Sequence, residues 1–534
     1  MEMKGLLVMK NVRSLCAALS LVVPGALVLG NVPAGATTVP PDGDAGCTED
    51  RAGGSVTMSL ISEPLGLDPI SIAGRYTGAI QLTALYDTLM RYDPATAEFE
   101  PFLAESLTSN DELTEWTLTL RPDIHFGSGN PLTADAVKGS IERFRLPESR
   151  VNITALIEQI DSIDVIDDLT LVIHTVAPFA GVPYMLAAEF GMPIDLTVAE
   201  AQGLESFALD PAGAGVGPFE LDHFTPGDEI VMKSKDDYWG GPVCLDELRF
   251  ITIPDEQTAY DAFSVDEIQA AYFRSPRFVR RLVDEDEVPH YTNILFGGRD
   301  IHLNTADGIT SDVRIRRAIA AAINLDVVNE RGHDGALLIQ SSIVNPDSPL
   351  YPGVDGPQYD RDLAVQLVDE VKAEGQWDGS LRLAYLTASE DEAIAIQAML
   401  EDVGFQIVQE PLPSSQEQTQ RINTDRDFEA AVSSLGIDSA AIWPTLGRIT
   451  DGGPRNFLGY TSPEWEAGLD ELRAAATVDE QRAALATLQE VWNRDVPAVI
   501  LGSTEETIVN APELRGLTYS RDAVVMFNDA YLED

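Results

Sequence analysis

The sequence predicts an α/β protein that is divided into two or three lobes. Its 534 residues are too many for a single hydrophobic core. Apolar residues make up 44% of the chain and charged residues 23%, which provides material for large cores and argues against wholesale disorder. Segments in which apolar and polar residues alternate, as they do in strands, are interspersed with segments whose apolar residues recur with helical periodicity. One stretch has the pattern of a βαβ unit.

The first half of the chain contains three segments in which apolar and polar residues alternate, as in half-buried strands. They are centred on Val56, Met58 and Leu60; on Trp116, Leu118 and Leu120; and on Leu169, Leu171 and Ile173. Between the last two, Thr133 is predicted to cap a helix with Val137 and Ile141 on its apolar face. The glycine-rich run at 213–218 is predicted to be a loop and not a phosphate site, because its proline lacks a donor amide.

The second half contains the βαβ pattern. Its successive parts are a strand with Leu381, Leu383 and Tyr385, a helix with Ile396, Met399, Leu400 and Val403 on one face, and a strand that begins with Phe405 and Ile407. Gly404 suits the left-handed backbone conformation that often ends a helix. A crossover of this kind is normally right-handed and joins parallel strands.

The N-terminus has the features of a secretory signal peptide. Basic residues precede an apolar run at 15–30, and Ala34-Gly35-Ala36 offers a cleavage site. We therefore expect a signal peptide at 1–36 and a flexible lead-in, rich in Pro, Gly, Thr and Asp, at 37–53. A membrane anchor is the alternative, since the apolar run is about as long as the lower limit for a spanning helix. Translation from Met9 would give a signal of more usual length.

The chain is strongly acidic, with a formal charge of −52. Three basic residues and one acid fall in the predicted signal, so the exported chain would carry −54. This charge argues against nucleic acid and anionic lipid as partners. The acids are dispersed along the chain, which favours a solvated surface, although a cationic ligand is an alternative.

The motifs of common enzymes and metal sites are missing from the sequence. The six histidines include no His-Glu-x-x-His segment, and no Gly-x-Ser-x-Gly or Walker-type phosphate loop occurs. Two distant cysteines cannot form a zinc cluster. The missing motifs lower the expectation of an enzyme without excluding one; the expectation of a non-enzyme without a cofactor or a metal site rests on the family resemblance that follows.

Short segments in a fixed order resemble a known family. The most informative are LYDTL at 85–89, DYWGG at 237–241 and SDVRIRRA at 311–318, with GGSVT at 53–57, LDP at 67–69, IPD at 253–255 and LNT at 303–305 among the others. Together they resemble the peptide-type solute-binding proteins of ABC importers, solute-binding protein family 5. The resemblance runs from about residue 53 to the C-terminal region.

The resemblance implies a periplasmic-binding-protein-like fold with two main lobes and an extra lobe around a hinged ligand cleft. Lobe I would be discontinuous and comprise 54–97, 210–300 and 505–534; lobe II would be 98–209; lobe III would be 301–504. Two strand crossings, near 299–304 and 502–504, would form the hinge. A ligand would stabilise the closed form by its differential affinity for the two forms.

Two cysteines, Cys47 and Cys244, remain after removal of the predicted signal. In an oxidising compartment such a pair suggests a disulfide, with two free thiols as the alternative. A lipid on Cys47 is a third option, which the distance from the apolar run disfavours. The resemblance supports the disulfide, because it places both cysteines just before strands of lobe I.

Two of the family segments also have structural interpretations. Arg314, Arg316 and Arg317 are expected to pair with surface acids on a helix capped by Ser311, in preference to binding a ligand. The Tyr238-Trp239 pair is expected to form a packed turn, with ligand stacking as the alternative.

The resemblance also suggests where a ligand is held. In the peptide-binding branch an aspartate in a Trp-x-x-Asp pattern of lobe III receives the ligand's ammonium group, and Asp438 occupies that place here. Leu435 replaces the tryptophan, and Trp443 follows only later. Alternatively, Asp438 caps the helix that follows it.

Further candidates lie in the next loop, in the first long loop and at the hinge. They are Arg448, Arg455 and Asn456; Arg75 and Tyr76; and Arg299. An arginine among them would meet a ligand carboxylate by a two-pronged contact.

The predicted function is that of an extracytoplasmic solute-binding protein of an ABC importer, which captures a peptide or a related organic solute and delivers it to a membrane permease. We expect a monomer. The alternatives are a metal-complex binder on the same fold, a secreted hydrolase and a ligand-sensing receptor that does not transport.

Overall fold

A computed structural model describes residues 47–48, 51–72, 78–94, 96, 98–150, 154–285, 288–438, 442–448, 456–520 and 523–533. The predicted signal peptide and most of the predicted lead-in lie outside these residues. Among the helices that are described, none combines the length and the apolar character needed to cross a bilayer.

The strands fall into one large sheet and several small ones. In chain order they are β1 (Ser55–Leu60), β2 (Met90–Asp93), β3 (Glu98–Pro101), β4 (Ala104–Ser109), β5 (Glu115–Leu120), β6 (Ile160–Asp167), β7 (Thr170–Thr175), β8 (Phe219–Thr225), β9 (Glu229–Ser234), β10 (Glu247–Thr252), β11 (Ala270–Phe273), β12 (His290–Leu303), β13 (Leu338–Ile339), β14 (Ser380–Leu386), β15 (Gln406–Leu412), β16 (Ala430–Ser433), β17 (Ala498–Asn510), β18 (Leu514–Arg515), β19 (Thr518–Tyr519), β20 (Val525–Met526) and β21 (Tyr531–Leu532).

The helices pack on the faces of these sheets and at their ends. In chain order they are α1 (Ala79–Tyr86), α2 (Ala134–Glu142), α3 (Thr154–Ile157), α4 (Val182–Leu186), α5 (Leu196–Gln202), α6 (Leu204–Phe207), α7 (Glu256–Ser264), α8 (Pro276–Arg280), α9 (Val313–Ala322), α10 (Leu325–Gly332), α11 (Arg361–Ala373), α12 (Glu390–Asp402), α13 (Ser415–Gln418), α14 (Ile442–Arg448), α15 (Pro463–Ala474) and α16 (Val478–Asp495).

The large sheet has the strand order β15-β14-β16-β12-β17-β11-β1-β10-β9-β8, with β13 paired to β17. Its first half, which we define as β11, β1, β10, β9 and β8, is joined to its second half, β14, β15 and β16, through the long antiparallel pair β12 and β17. The register of that pair shifts between Leu295 and Arg299. The shift is a bulge, which bends a strand and increases its twist.

Separate hydrophobic cores lie along this arrangement. One is built around β1, β10 and α1, and another around the four-stranded antiparallel sheet β4-β5-β7-β6 with α2. Two more cover the opposite faces of the second half of the large sheet. A mixed α/β fold with several cores was predicted and is confirmed. The lobe boundaries remain a prediction.

The local predictions that rest on periodicity are confirmed. The three alternating segments of the first half form β1, β5 and β7, and Thr133 caps α2 by accepting the amide of Ala136. The βαβ unit is present as β14, α12 and β15, with β14 and β15 parallel. Gly404 has a φ of +105°, as its place after the helix requires.

The first two family segments meet at a buried carboxylate. Asp87 accepts hydrogen bonds from the Tyr238 hydroxyl at 2.8 Å, the Trp239 indole at 3.0 Å and the Asn528 amide at 3.2 Å. The guanidinium of Arg91, which is itself buried and lies 3.2 Å over the Phe102 ring, supplies the nearby positive charge. Burial nevertheless raises the pKa of the Asp87 carboxyl, against the opposing effects of Arg91 and these hydrogen bonds. The packed-turn interpretation of Tyr238-Trp239 is therefore confirmed.

The third family segment forms the beginning of α9, where one prediction is wrong. Asp312, and not Ser311, caps the helix by accepting the amide of Arg314 at 2.8 Å, whereas the Ser311 hydroxyl donates to the carbonyl of Gly308. The aspartate is favoured because its carboxylate also pairs with the Arg314 guanidinium.

The arginines of this segment have structural partners, but only Arg314 pairs with acids as expected. Arg316 is buried and donates to the carbonyls of Asp495, Thr310 and Ser311. Arg317 donates to the carbonyl of Arg494. Backbone carbonyls at the ends of neighbouring segments need donors, and these guanidinium groups supply them.

Cys47 and Cys244 form a disulfide, with Cα atoms 5.1 Å apart. It joins the segment before β1 to the segment before β10, and these two strands are parallel neighbours. The bond therefore ties the beginning of the described chain to the first half of the large sheet.

Candidate functional site

A cleft of about 750 Å³ lies between the two halves of the large sheet. Its walls are formed by segments that follow the carboxyl ends of parallel strands in both halves. In open α/β sheets this is the edge at which ligands bind. The volume lies within the range usual for pockets that hold a small organic ligand.

The first wall of the cleft belongs to the first half of the sheet. Ile61 follows β1, the segment 254–257 follows β10, and the segment 274–278 follows β11. The amides of Arg274 and Ser275 both donate to the Glu256 carboxylate, at 2.6 and 3.0 Å. These bonds hold the two segments together across the ends of β10 and β11.

The second wall belongs to the second half of the sheet. It is lined by residues 388, 389, 391 and 392, which come after β14, and by Ser434, which comes after β16. Gly332 and His333, at the end of α10, complete it. The antiparallel pair of long strands contributes Gly298, Arg299 and Thr504, so the β12–β17 pair forms the floor between the walls.

A charged network lies in the second wall. The Glu392 carboxylate is buried and receives the guanidinium of Arg299, whose Nη2 also donates to the Ser389 hydroxyl at 3.1 Å. His333 Nε2 lies 3.1 Å from the same carboxylate. Burial alone would raise the pKa of Glu392, but the charge of Arg299 and the contacts with His333 outweigh it and hold the pKa below its ordinary value.

We predict that Arg299→Gln lowers the free energy of unfolding by about 2 kcal/mol at neutral pH, since it leaves a buried carboxylate with less compensation. In the native protein the lowered pKa of Glu392 stabilises the fold at pH values above 4.5, which is the ordinary pKa of a glutamate. This stabilisation is lost as the pH falls below that value. The difference between variant and native protein should therefore shrink as the pH is lowered through this range. Thermal unfolding between pH 3 and pH 8 measures it.

The matched control for this prediction is Arg331→Gln. Arg331 is exposed on α10, and no ion pair involves it within the described part of the chain. We expect the control to stay within about 0.5 kcal/mol of the native protein at every pH. A pH-independent loss in Arg299→Gln would contradict the assigned role of Glu392.

Of the residues predicted to bind a ligand, Arg299 lies in the wall of the cleft. Asp438 is buried beyond the end of β16, directly after the bridge between Ile437 and Phe296. Asp438 is not among the described residues that line the cleft; of those residues, Ser434 is the nearest to Asp438 in sequence. Asn456 is buried, and its amide group exchanges two hydrogen bonds with the backbone of Tyr460.

Trp443 lies elsewhere, in a second and smaller cavity of about 90 Å³. Its ring is 5.5 Å from that of Phe179, and nearby the amide of Ala180 donates to the carbonyl of Arg473 at 2.9 Å. Both contacts join predicted lobe II to predicted lobe III. Arg75, Tyr76, Arg455 and the side chain of Arg448 lie outside what the structure describes, so their predicted roles stay predictions.

Most of the residues that line the cleft were not predicted from the sequence. Among the residues missed are Arg274, Arg277, His333, Asp391 and Glu392, which belong to none of the segments that carry the family resemblance. A usable signal was present, because Arg274 directly follows the apolar strand β11 and Asp391 lies shortly after β14. Residues that follow parallel strands are expected at the binding edge of a sheet.

The chemistry available in the cleft is that of binding. Guanidinium, carboxylate, imidazole, amide and hydroxyl groups line it. In the part of the chain with described placement, no cluster of three or more His, Cys, Asp or Glu side chains is arranged to hold a metal ion. Such a surface can orient a polar organic solute by hydrogen bonds and ion pairs.

Comparison with known proteins gives a family match over most of the chain. The model of the bacterial extracellular solute-binding proteins, family 5 Middle, matches residues 98–456. Protein XP55 of Streptomyces lividans is 25% identical over 490 residues, which cover 88% of this chain and 87% of that protein. The dipeptide-binding protein of Escherichia coli (strain K12) is 24% identical over 379 residues, which cover 66% of this chain and 70% of that protein.

A solved structure has the same fold. It is that of the ABC transporter-associated periplasmic binding protein DppA from Helicobacter pylori in complex with the peptide STSA. The TM-score is 0.74 at 21% identity, and the match covers 91% of this chain and 99% of that one.

Proposed function

Because the chain belongs to the bacterial extracellular solute-binding proteins of family 5, we propose that it captures a peptide or a related organic solute in the cleft between the two halves of its large sheet. Members of this family bind peptides or small ligands and deliver them to the permeases of ABC importers; they are binding proteins and not enzymes. The chain therefore acts outside the cytoplasm in the uptake of a solute.

The position of the cleft is the observation that carries the proposal. It lies where the carboxyl ends of parallel strands from both sheet halves converge, and the β12–β17 pair spans its floor. A peptide or a similar solute presents both hydrogen-bonding groups and charges, for which the walls provide partners. The peptide class rests on the dipeptide-binding relative and on the peptide-bound neighbour of the same fold.

Binding proceeds by closure of the two halves around the solute. The hinge is the β12–β17 pair, where the bulge near Arg299 lets the strands bend. The predicted lobes I, II and III move as units, and contacts such as that between Phe179 and Trp443 connect lobe II to lobe III. Asp438 holds the ammonium group of the solute, as the family resemblance implies.

Export requires the signal peptide proposed at 1–36. Cys47 serves the disulfide with Cys244, and a thioether-linked lipid on the same sulfur is incompatible with that bond. We therefore propose a protein that is exported without a lipid anchor at Cys47.

Calorimetric titration of the exported chain with pools of synthetic di- to pentapeptides tests the proposal. Binding should be saturable and should raise the melting temperature, by an amount that follows the logarithm of the ligand excess over Kd. Ser434→Trp, which places a large ring in the cleft, should abolish binding. The control Ser415→Trp changes an exposed serine at the start of α13, away from the cleft, and should bind as the native protein does.

Two results would contradict this proposal. The absence of heat and of thermal stabilisation across all pools would exclude peptides as the solute. Undiminished binding in Ser434→Trp would place the solute somewhere other than the cleft.

A further inference from the structure

The bulge in β12 has buried backbone groups that β17 does not pair. Three residues of β12, 296–298, stand opposite the single residue Ser503 of β17. All three are buried, and a buried amide or carbonyl without a partner costs free energy. The backbone of the bulge therefore needs partners from another segment of the chain.

Those partners come from the loop that follows β16, residues 434–438, which we call the cleft loop. The amide of Phe296 donates to the carbonyl of Ile437, and the amide of Ile437 donates to the carbonyl of Phe296, both at 2.8 Å. The carbonyl of Gly297 accepts the amides of Leu435 and of the glycine after it, each at 3.1 Å. The bulge and the cleft loop thus form one hydrogen-bonded unit.

A buried carboxylate fastens the same loop once more. Asp300 is fully buried in β12, just after the bulge, and its Oδ2 accepts the amide of Leu435 at 2.7 Å. His302 lies on the same face of the strand, with its Nε2 2.9 Å from Asp300 Oδ1, and the Phe457 ring packs 5.0 Å from the imidazole ring. The carboxylate is therefore held on one side and directed at the cleft loop on the other.

The surroundings of this pair are those of a hydrophobic core. Its neighbours on β16 and β17 include Ala431, Ala498 and Ile500, which are buried apolar residues. A buried polar pair is seldom the most stable choice in such a place, because its desolvation costs free energy that apolar side chains would not require. What the pair of Asp300 and His302 provides instead is a defined position for the cleft loop.

The cleft loop begins with Ser434, which lines the cleft, and ends at the buried Asp438. Since the loop is bonded to the bulge at which the proposed hinge bends, a change in the hinge displaces the loop as well. We propose that Asp300 is a positioning residue for solute capture, which locks the cleft loop to the hinge bulge so that closure also places the loop. This inference rests on the proposed function and identifies a residue that couples the hinge to the cleft.

Hydrogen exchange of the solute-free exported chain, followed by mass spectrometry, tests the lock. In the native protein the amides of 435–437 should exchange slowly, although they lie outside the strands of the large sheet. Asp300→Ala should accelerate their exchange at least tenfold. Asp300→Asn keeps an oxygen that can accept the amide of Leu435 and should retain the native rates.

Binding separates a positioning role from a merely structural one. For those di- to pentapeptides that bind the native protein, Asp300→Ala should raise the Kd at least tenfold, equivalent to about 1.4 kcal/mol. The physical reason is that a loosened loop must be ordered again when the solute binds. Asp300→Asn should keep the Kd within about threefold of the native value, that is, well below the change expected for alanine.

The matched control is Asp195→Ala. Asp195 is likewise buried, and its carboxylate accepts a backbone amide, that of Thr197 at 2.9 Å, but it caps α5 and is not among the described residues that line the cleft. This variant should lose thermal stability, as Asp300→Ala does. Both its exchange at 435–437 and its Kd should remain native.

The outcomes separate the inference from the proposed function. Rapid exchange at 435–437 in the native protein would overturn the inference, whether or not Asp300→Ala folds. A native exchange rate or a native Kd in Asp300→Ala would also overturn it and leave solute capture intact, as would an Asp300→Asn variant that behaves like Asp300→Ala. If no peptide binds the native protein, the proposed peptide class fails, and the exchange rates alone decide the inference.

Discussion

Replacement of Asp87 by alanine is expected to lower the free energy of unfolding by about 3–5 kcal/mol. The substitution leaves the buried Arg91 without its nearby negative charge and removes the acceptor of the Tyr238 hydroxyl and the Trp239 indole. Buried donors that lose their partner cost their full desolvation. The effect is large because residues from three distant parts of the chain, including Asn528, meet at this one carboxylate. Urea unfolding followed by circular dichroism measures it.

The control for this experiment is Asp236→Ala, which removes an exposed acid just before the DYWGG segment. It should change the stability by no more than about 0.5 kcal/mol. If Asp87→Ala unfolds at the same denaturant concentration as the control, the network around Asp87 does not hold the fold together as inferred.

Loss of the disulfide is expected to cost about 3 kcal/mol. Cys47 and Cys244 are 197 residues apart in sequence, so the bond restricts a long loop of the unfolded chain. The double variant Cys47→Ser, Cys244→Ser should therefore melt at a lower temperature than the oxidised native protein. Reduction of the native protein should bring it to the melting temperature of the variant.

Two further observations bear on this prediction. Mass spectrometry of the non-reduced native protein should find one cross-linked peptide that contains both cysteines. An identical melting temperature for the oxidised, reduced and double-variant forms would show that the bond adds no stability, and the absence of the cross-linked peptide would show that it does not form.

Features that depend on neighbouring residues in sequence were predictable. The β14-α12-β15 unit, the Thr133 cap and the positive φ of Gly404 follow from periodicity and from the preferences of single residues. The cap of α9 was missed by one position. Ser311 and Asp312 are both good caps, and only the additional ion pair with Arg314 favours the aspartate.

The candidate site was predicted much less well, for a physical reason. Arg299 and Glu392 are 93 residues apart, and their pairing depends on how β12 and α12 are brought together. Arg274 and Asp391 face one cleft only because β11 and β14 belong to the two halves of one sheet. No local pattern reports such a juxtaposition, since it is the sheet order that creates it.

By itself the sequence determined the α/β class, the family resemblance, the acidic surface and the local helices and strands. These depend on composition, on short-range periodicity and on segments in a fixed order. Tertiary structure alone decided which charged groups of the cleft compensate one another. Charges interact through space, so the partner of Glu392 follows from the packing of segments that are distant in sequence.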